Sequence, residues 1–489
     1  MGESRWEVLA RRVGGRSVLR ILALALVVRV VVNVANVGAN PDRMFKPDSL
    51  EYERYARNLL THHVYTLDRE APHEADSFRP PLYVFLLAAV YGLVGHVPQL
   101  IVLLQTLLAV ATTYLVYDLG RLALTPKLGR WAACVFAVAP APVLYSGFIL
   151  SETLFTFLMV WSARSLAAYL WGGGGDLGDS ASVAGYPRAG DLAQVGVSGA
   201  LLGLATLTRA ISQFYIALPI ALVLWLRGRG AWRAAAVLAG GFAMVVLPWV
   251  ARNHAAVGAV HISAAGQYNL FYCHAASVHR YVRGGDLESA RASLAAQVQA
   301  RLGGEASARA VARAQVRVAL GEIAAHPLVV ARLGVLWVGR LLFDVGNGLL
   351  YFAEFYEDGA PAEASLWSLL WGELRLTLAS LAAVWRGHGL LVSLVIAGFC
   401  AGYVVVLAGS YKLAVLGCVD LVRGEGRGAA VLLAATVVYL AVLPGPLGEL
   451  RFRVPFVPYL ALLVAAGVEG VLTRWGNGAA RAGAAAGEV

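Results

Sequence analysis

Charged residues are scarce in this chain, and that scarcity excludes a water-soluble domain. Asp, Glu, Lys and Arg together make up 14% of the 489 residues, whereas hydrophobic residues make up 59%. Soluble domains carry about 25% charged residues. A chain with so little charge cannot cover a water-exposed surface, so the composition favours a protein that lies in a lipid bilayer.

Cysteine is also scarce, with four residues and no CxxC pair. We therefore expect neither a structural zinc site nor a disulfide framework. The formal net charge of +10 would suggest nucleic acid in a soluble protein. Here most arginines lie in short segments beside apolar runs, and basic stripes with interleaved aromatic residues are lacking. We expect membrane lipids as partners and no nucleic acid.

The chain contains many long apolar runs. Each is close to the ~20 residues that a helix needs to cross the hydrocarbon core, and together they predict about ten spans. The predicted spans are 21–38, 98–119, 130–149, 153–171, 193–208, 212–226, 234–250, 389–409, 428–444 and 455–473. The fold class predicted is an all-α polytopic membrane protein.

Lysine and arginine in the short connections predict the orientation, because they favour the cytoplasmic side. These basic groups lie within residues 5–20, 121–130, 227–233, 412–427 and 474–481. All of these groups can lie on the cytoplasmic side only if an even number of spans separates each group from the next. A chain with about ten spans satisfies this condition. We therefore expect both termini in the cytoplasm and a location in the cytoplasmic (inner) membrane. The 14-residue apolar run 82–95 is then an external helix that lies on the membrane surface.

The organisation expected is one transmembrane domain over 1–473, followed by a cytoplasmic tail over 474–489. Residues 39–97 form a first external segment, and residues 251–388 form a long external or interfacial region. Within that region, 327–350 and 365–385 are apolar but carry charges, so they are interfacial helices or two further spans, about twelve in all. Residues 172–192 are Gly-rich, which predicts a cytoplasmic linker.

Asp48 is the first candidate for chemistry, in the stretch PDSLEYERYARNLL of residues 47–60. One interpretation is an N-cap, with the carboxylate accepting a backbone N–H at the start of a helix. The other is a general base at the membrane interface, which must lie within hydrogen-bond reach of the hydroxyl that it deprotonates. Arg79, before Pro80 and Pro81, is either a snorkelling lipid anchor or a site residue.

Further polar residues lie at the predicted external ends of spans. Ser151 and Glu152 occupy a very short turn, where helix capping is the alternative to a site role. Arginines at these ends run against the positive-inside bias, and guanidinium groups suit phosphate through paired hydrogen bonds. They are Arg209, Arg252, Arg451 and Arg453, and Asn253 follows Arg252.

Taken in order, these pieces resemble the polytopic glycosyltransferases of the GT-C fold. The closest group is the family 39-like one, related to dolichyl-phosphate-mannose–protein mannosyltransferases and to lipid A aminoarabinose transferases. The matching pieces are Asp48 with Tyr52 and Ala56, Arg79 to Tyr83, Gln105, Ser151 to Leu154, Leu207 to Arg209, Pro248 and Trp249 with Arg252 and Asn253, Gly266 with Asn269 and Leu270, His326 and Pro327, and Arg451 to Pro455. The resemblance covers about residues 17–473 and implies a GT-C-type bundle.

The resemblance implies a mechanism. A sugar would pass from a polyprenyl-phosphate donor to a hydroxyl of a lipid, glycan or protein acceptor on the external face, with inversion. Asp48 would be the base, and Glu152 would orient the acceptor or a divalent metal, a cofactor that the sequence leaves open. Arginines would bind the donor phosphate: Arg79, Arg209, Arg252, Arg451 and Arg453. Residues implied to bind the acceptor or sugar are Tyr52, Tyr83, Asn253 and Asn269.

The sequence departs from this family at two motifs. Ser49 follows Asp48 where many relatives have Glu, and Phe78 precedes Arg79 where the lipid A type has Glu-Lys. The second departure argues against an aminoarabinose function. Nearby, His73, Glu74 and Asp76 lack the ligand spacing of a metal site, so we interpret them as a solvated loop.

Three other functions remain open from the sequence. A transporter or flippase of lipid-linked glycans would carry inverted repeats and broken helices near the midplane, and neither is evident. A ligase or polymerase of lipid-linked glycans would use the same donors. A non-catalytic assembly protein would tolerate loss of Asp48.

Overall fold

The computed structural model describes residues 15–172, 191–304, 306–343 and 374–486. Across these ranges every regular element is a helix. The α-helices are α1 (Arg16–Ala39), α2 (Pro47–His62), α3 (Pro81–Val94), α4 (Pro98–Ala123), α5 (Pro126–Val138), α6 (Pro140–Tyr145), α7 (Glu152–Trp171), α8 (Leu192–Thr208), α9 (Ala217–Arg227), α10 (Trp232–Val257), α11 (Ala265–Tyr268), α12 (Ala276–Arg283), α13 (Leu287–Leu302), α14 (Ala308–Ala325), α15 (Pro327–Phe343), α16 (Leu374–Arg423), α17 (Arg427–Val442) and α18 (Val457–Ala486).

Seven helical segments of the described ranges are long and apolar enough to cross a membrane. They are Arg16–Gly38, Pro98–Ala123, Glu152–Trp171, Ala210–Arg227, Trp232–Val257, Gly398–Arg423 and Val457–Asn477. Three shorter apolar helices accompany them, namely α3, α8 and α17. This confirms the all-α polytopic membrane fold that the sequence predicts.

The predicted single span over 130–149 is wrong, because proline breaks it. α5 ends at Val138 and α6 begins at Pro140. Proline has no backbone N–H to continue the helical ladder, and it drives the preceding residue away from helical geometry. Ala139 is accordingly extended, at φ −61° and ψ 125°.

Arg29 of α1 compensates for this break inside the bundle. Its side chain is fully buried, and it donates hydrogen bonds to the carbonyls of Ala137 at 2.9 Å and Phe136 at 3.4 Å. Both carbonyls belong to the last turn of α5, where helical partners run out, although the Phe136 carbonyl also accepts the Ala139 N–H at 3.4 Å. The negative end of the helix also favours a cation there, so this buried charge is explained by the proline.

Two later boundaries also differ from the prediction. The span predicted over 389–409 lies within the 50-residue helix α16, which continues to Arg423. Lys412, assigned to a loop from the sequence, lies in this helix. α18 continues to Ala486 through most of the predicted tail. Predicted segments that lie outside the described residues are 173–190, 344–350 and 365–373.

The chain forms two compact units. The first comprises Met1–Ile262, Ser410–Leu440 and Val454–Val489. Its core includes buried residues of α4, α5, α7 and α18, such as Val116, Phe136 and Leu462. α8 and α10 pack closely through glycine, since a Cβ on Gly199 would lie 2.0 Å from the Leu238 carbonyl oxygen. Small residues allow such close approach between helices in membranes.

The second unit comprises Ser263–Gly409 and Ala441–Arg453. α12, α13 and α14 meet at His279, which is buried. Its ring nitrogens lie 2.9 Å from Glu322 Oε1 and 3.1 Å from Ser293 Oγ. α14 and α15 are inclined to each other by 94° at the break before Pro327.

Candidate active site

Asp48 lies in the first turn of α2, and it does not cap that helix. Pro47 is the first helical residue and Lys46 is the N-cap residue. The Ser49 hydroxyl accepts the Lys46 backbone N–H at 2.9 Å, so capping is carried by Ser49. The N-cap interpretation of Asp48 is therefore wrong, and its carboxylate has another partner.

That partner is Arg79. Its guanidinium donates to Asp48 Oδ1 at 2.9 Å through one terminal nitrogen and to Glu51 Oε2 at 2.6 Å through Nε. Asp48 and Glu51 are three residues apart, so helical geometry places them on one face of α2. The Arg79 side chain is 17% exposed, which excludes a snorkelling anchor. One guanidinium therefore forms charge-assisted hydrogen bonds to two carboxylates on the same helical face.

The backbone around Arg79 is held in place by its neighbours. Pro81 begins α3 directly after Pro80, and the Tyr65 hydroxyl donates to the backbone carbonyl of Arg79 at 3.0 Å. The guanidinium carbon also lies 5.4 Å from the centre of the Tyr52 ring. Arg79 is therefore held by ionic, aromatic and backbone contacts at once.

Tyr52 joins this group to the turn before α7. It follows Asp48 by one helical turn, and its hydroxyl lies 3.2 Å from Ser151 Oγ. Tyr83 of α3 packs edge-on against the Tyr52 ring, with centroids 4.9 Å apart. Tyr83 is fully buried, so its role in the described structure is to support Tyr52.

Glu152 begins α7 and pairs with Arg209. Arg209 follows α8 as its C-cap residue, and it donates to Glu152 Oε1 at 2.5 Å and to Ser151 Oγ at 3.2 Å. Glu152 is 1% exposed. Its second oxygen, Oε2, is buried and makes no hydrogen bond. Ser151 makes no capping bond, so the capping interpretation of this pair is also wrong.

Gln105 holds the turn that carries Ser151. Its amide nitrogen donates to the carbonyls of Ser146 at 3.1 Å and Phe148 at 2.7 Å, and its amide oxygen accepts the Tyr83 hydroxyl at 2.7 Å. The Ile149 N–H donates to the Met44 carbonyl at 2.9 Å. The turn is thus fixed to α4, to α3 and to the segment before α2.

Arg252 and Asn253 lie at the end of α10, where they bind backbone carbonyls. Arg252 donates to the Asp76 carbonyl at 2.5 Å and stacks 4.8 Å from the Trp249 ring centre. Asn253 is fully buried and donates to the His261 carbonyl at 2.9 Å. Arg252 therefore supports the loop that precedes Arg79, and Asn253 supports the turn that follows α10.

The other predicted site residues belong to the second unit. Arg453 is 2% exposed and donates to the Leu342 carbonyl at 3.0 Å. Arg451 lies 3.5 Å from the Glu449 carboxylate. Asn269 begins a π-helical turn, Asn269–Ala275.

Two residues of this site were missed from the sequence. Glu51 could have been found from its three-residue spacing to Asp48 on a helix. Lys46 lies with its ammonium 4.2 Å from the centre of the Phe148 ring. Burial, with Arg43 nearby, lowers the pKa of Lys46 to about 8.

The carboxylates of this site already have arginine partners. Within the described residues, no three His, Cys, Asp or Glu side chains come together as metal ligands. Divalent ions prefer several free oxygen or nitrogen ligands, whereas Asp48, Glu51 and Glu152 each bind a guanidinium. In the nearby loop, the Asp76 carboxylate accepts backbone N–H groups of Leu67 at 2.8 Å and Phe78 at 3.0 Å.

Comparison with known proteins identifies the architecture. No protein-family model and no curated protein sequence matches the chain. Among solved structures, the chain is similar to the archaeal oligosaccharyltransferase AglB from Archaeoglobus fulgidus, in complex with an inhibitory peptide and a dolichol-phosphate. The alignment covers 96% of this chain and 52% of AglB, with a TM-score of 0.50 and 15% sequence identity. This chain has the GT-C fold. It spans about half the length of that oligosaccharyltransferase.

A second solved structure aligns more weakly. ArnT from Cupriavidus metallidurans, bound to undecaprenyl phosphate, aligns over 92% of this chain and 77% of its own, with a TM-score of 0.39 and 16% identity. The fold assignment rests on the archaeal structure, and it confirms the GT-C architecture expected from the sequence.

Proposed function

We propose that this chain is a membrane glycosyltransferase that moves a sugar from a polyprenyl-phosphate donor to a hydroxyl acceptor, with inversion. The acceptor is a lipid, a glycan or a protein. One observation carries the proposal: two guanidinium–carboxylate groups, Asp48–Arg79 and Glu152–Arg209, are joined through Tyr52 and Ser151. The GT-C fold agrees with it, since AglB with this fold binds a dolichol-phosphate.

Asp48 acts as the base in this proposal. Its hydrogen bond from Arg79 favours the ionised carboxylate, which is the form that accepts a proton. The attacking hydroxyl must lie within about 2.6–3.2 Å of that carboxylate. As its oxygen bonds to the anomeric carbon, its proton passes to Asp48, and the bond from that carbon to the phosphate oxygen breaks with its electron pair.

The arginines stabilise the departing phosphate. Charge grows on that group as the glycosidic bond breaks, and fixed guanidinium groups stabilise it without reorganising. Arg79 and Arg209 are the best placed, because both lie at the joined carboxylate groups. Arg252 supports them through the loop that precedes Arg79, and the sequence resemblance alone keeps Arg451 and Arg453 as further candidates for binding phosphate.

The sugar and acceptor contacts are assigned by position, since Tyr52 is itself buried, at 3% exposure. Tyr52, beside Arg79 and Ser151, is the residue proposed to face the sugar. Tyr83 and Asn253 are fully buried and act through the groups that they hold. Asn269 remains a proposed acceptor contact on the second unit. The reaction takes place on the external face of the inner membrane, with both termini in the cytoplasm, as the distribution of basic residues predicts.

The test is transfer of radiolabelled sugar from a panel of polyprenyl-phosphate sugars by purified protein in lipid. Wild type should transfer or slowly hydrolyse one donor, and Asp48→Asn should do neither while still binding that donor. Asp42→Asn, an exposed carboxylate six residues earlier, is the matched control and should keep full activity. Full activity in Asp48→Asn would reject the mechanism. If all proteins bind donors but none reacts, a transporter or flippase becomes the better explanation, and vesicle transport assays would decide it.

A further inference from the structure

The charge balance of the site bears on the metal that the sequence left open, on the premise of the proposed function. Glu152 is the carboxylate that would orient a divalent ion. Its Oε1 already has an arginine nitrogen at 2.5 Å, and the same nitrogen lies 3.2 Å from the neighbouring Ser151 hydroxyl. Arg209 thus occupies the position from which a cation would contact both oxygens.

The remaining oxygen of Glu152 does not offer an alternative position. Oε2 is shut off from solvent and has no hydrogen-bond partner. A divalent ion bound there would have one carboxylate oxygen, with a fixed positive charge on the other side of the same carboxylate. Hard divalent ions take six or more oxygen ligands, several of them from protein or substrate. One enclosed oxygen beside a guanidinium does not meet that demand.

The other two carboxylates of the site share a single guanidinium. Asp48 and Glu51 both bind Arg79, at 2.9 Å and 2.6 Å. The planar guanidinium presents separate N–H donors to separate oxygens, which is the bridging that a divalent ion would otherwise supply.

We infer that Arg79 and Arg209 stand in for a divalent cation, so that sugar transfer by this chain needs no metal. In the free enzyme Arg209 balances the charge of Glu152, and Arg79 bonds to both Asp48 and Glu51. In the proposed reaction the positive charges of these two groups stabilise the phosphate as it leaves. Unlike a metal ion, these charges cannot be removed by a chelator.

The experiment measures Mn²⁺ binding to full-length protein in lipid nanodiscs by electron paramagnetic resonance, with Glu152→Gln as the control. We expect wild type to bind no more Mn²⁺ than the control. Stoichiometric binding in wild type that Glu152→Gln abolishes would overturn the inference. This readout does not depend on activity, so it remains decisive even if the proposed function fails.

Activity gives an independent readout. Transfer by wild type should be unchanged after EDTA treatment, and loss on EDTA with recovery on Mn²⁺ would overturn the inference. Arg209→Ala should lose about 10²- to 10³-fold in kcat, and added guanidinium ion should restore part of it whereas Mn²⁺ should not. Recovery with Mn²⁺ alone would contradict the role assigned to the guanidinium. If Arg209→Ala does not fold, Arg209→Lys tests the same point, because it keeps the charge and should stay insensitive to both Mn²⁺ and EDTA.

Discussion

The Tyr52 hydroxyl lies 3.2 Å from the Ser151 hydroxyl, and this contact joins two parts of the chain that are 99 residues apart. On one side, the Tyr52 ring lies against the guanidinium of Arg79. On the other side, Ser151 accepts a hydrogen bond from Arg209. The contact therefore couples the two arginines of the candidate site.

The first prediction concerns that contact. Tyr52→Phe keeps the ring and removes the hydroxyl, so kcat should fall by about 3- to 10-fold, the equivalent of one lost hydrogen bond. Ser151→Ala should lower kcat by a similar factor or a larger one. In the double variant the effects should be less than additive, because both substitutions remove the same contact. Strict additivity in steady-state transfer assays would show that the two hydroxyls do not act together.

The second prediction concerns Glu51, which holds Arg79 beside Asp48. Glu51→Gln removes the charge that fixes the Nε side of the guanidinium, so Arg79 should shift. The value of kcat should fall by about 10- to 100-fold, since charged hydrogen bonds contribute about 1.5–3 kcal/mol. Donor KM should change less than kcat, because the positive charge remains. The matched control is Glu70→Gln, an exposed carboxylate of the same segment. Equal effects of the two substitutions in transfer assays would refute the role of Glu51.

The sequence singled out four charged residues of this cluster, but it missed Glu51 and Lys46 and did not predict the pairing. Asp48, Arg79, Glu152 and Arg209 stood out because charge is rare beside apolar runs. The ion pairs Asp48–Arg79 and Glu152–Arg209 span 31 and 57 residues, and the paths of the intervening loops and helices decide which ends meet. Pairing of this kind depends on tertiary packing, which no local pattern encodes.

The helix break before Pro140, in contrast, has a local signal in the sequence. The sequence AVAPAPVLY contains the signal for the break, but the apolar length of 130–149 alone favoured one span. Arg29 could then have been predicted as the partner of the freed carbonyls, since a buried arginine in a span requires acceptors.

The third prediction concerns Arg252 and Arg451. Replacing either by Ala should raise donor KM more than acceptor KM, because both are assigned to the donor phosphate or its support. Arg252→Ala should also lower the unfolding temperature, because its guanidinium holds the Asp76 carbonyl. Arg301→Ala, an exposed arginine at the end of α13, serves as the control. Unchanged donor saturation in both variants would remove these residues from the phosphate site.

The fourth prediction is a pH dependence of stability caused by Lys46. Burial lowers the pKa of Lys46 from its ordinary value of 10.5 to about 8. Between these pH values the folded chain has released the proton and the unfolded chain still binds it, so stability due to Lys46 rises with pH. Below about pH 8 the ammonium is charged in both states, and its burial opposes folding.

Lys46→Met tests this directly. The difference in unfolding temperature between the variant and wild type should be largest at pH 7 and should shrink as the pH rises from 8 to 10.5. Taking the difference removes the contribution of every other titrating group. A difference that is constant over that range, measured by thermal unfolding in detergent, would rule out the shifted lysine.

The last prediction concerns Gly199, whose helix α8 ends at Arg209. A Cβ at Gly199 would lie 2.0 Å from the Leu238 carbonyl oxygen of α10, so Gly199→Ala must push the two helices apart. Overpacking of this kind costs about 1–3 kcal/mol, and the shift of α8 should misplace Arg209 and lower kcat. Gly240→Ala on α10 is the matched control, because a Cβ there meets nothing within 4 Å. The control should be neutral or stabilising by about 0.5–1 kcal/mol. Thermal unfolding and transfer assays on both variants separate the packing effect at Gly199 from the general effect of replacing a helical glycine. Equal stability and activity of the two variants would contradict the close contact at Gly199.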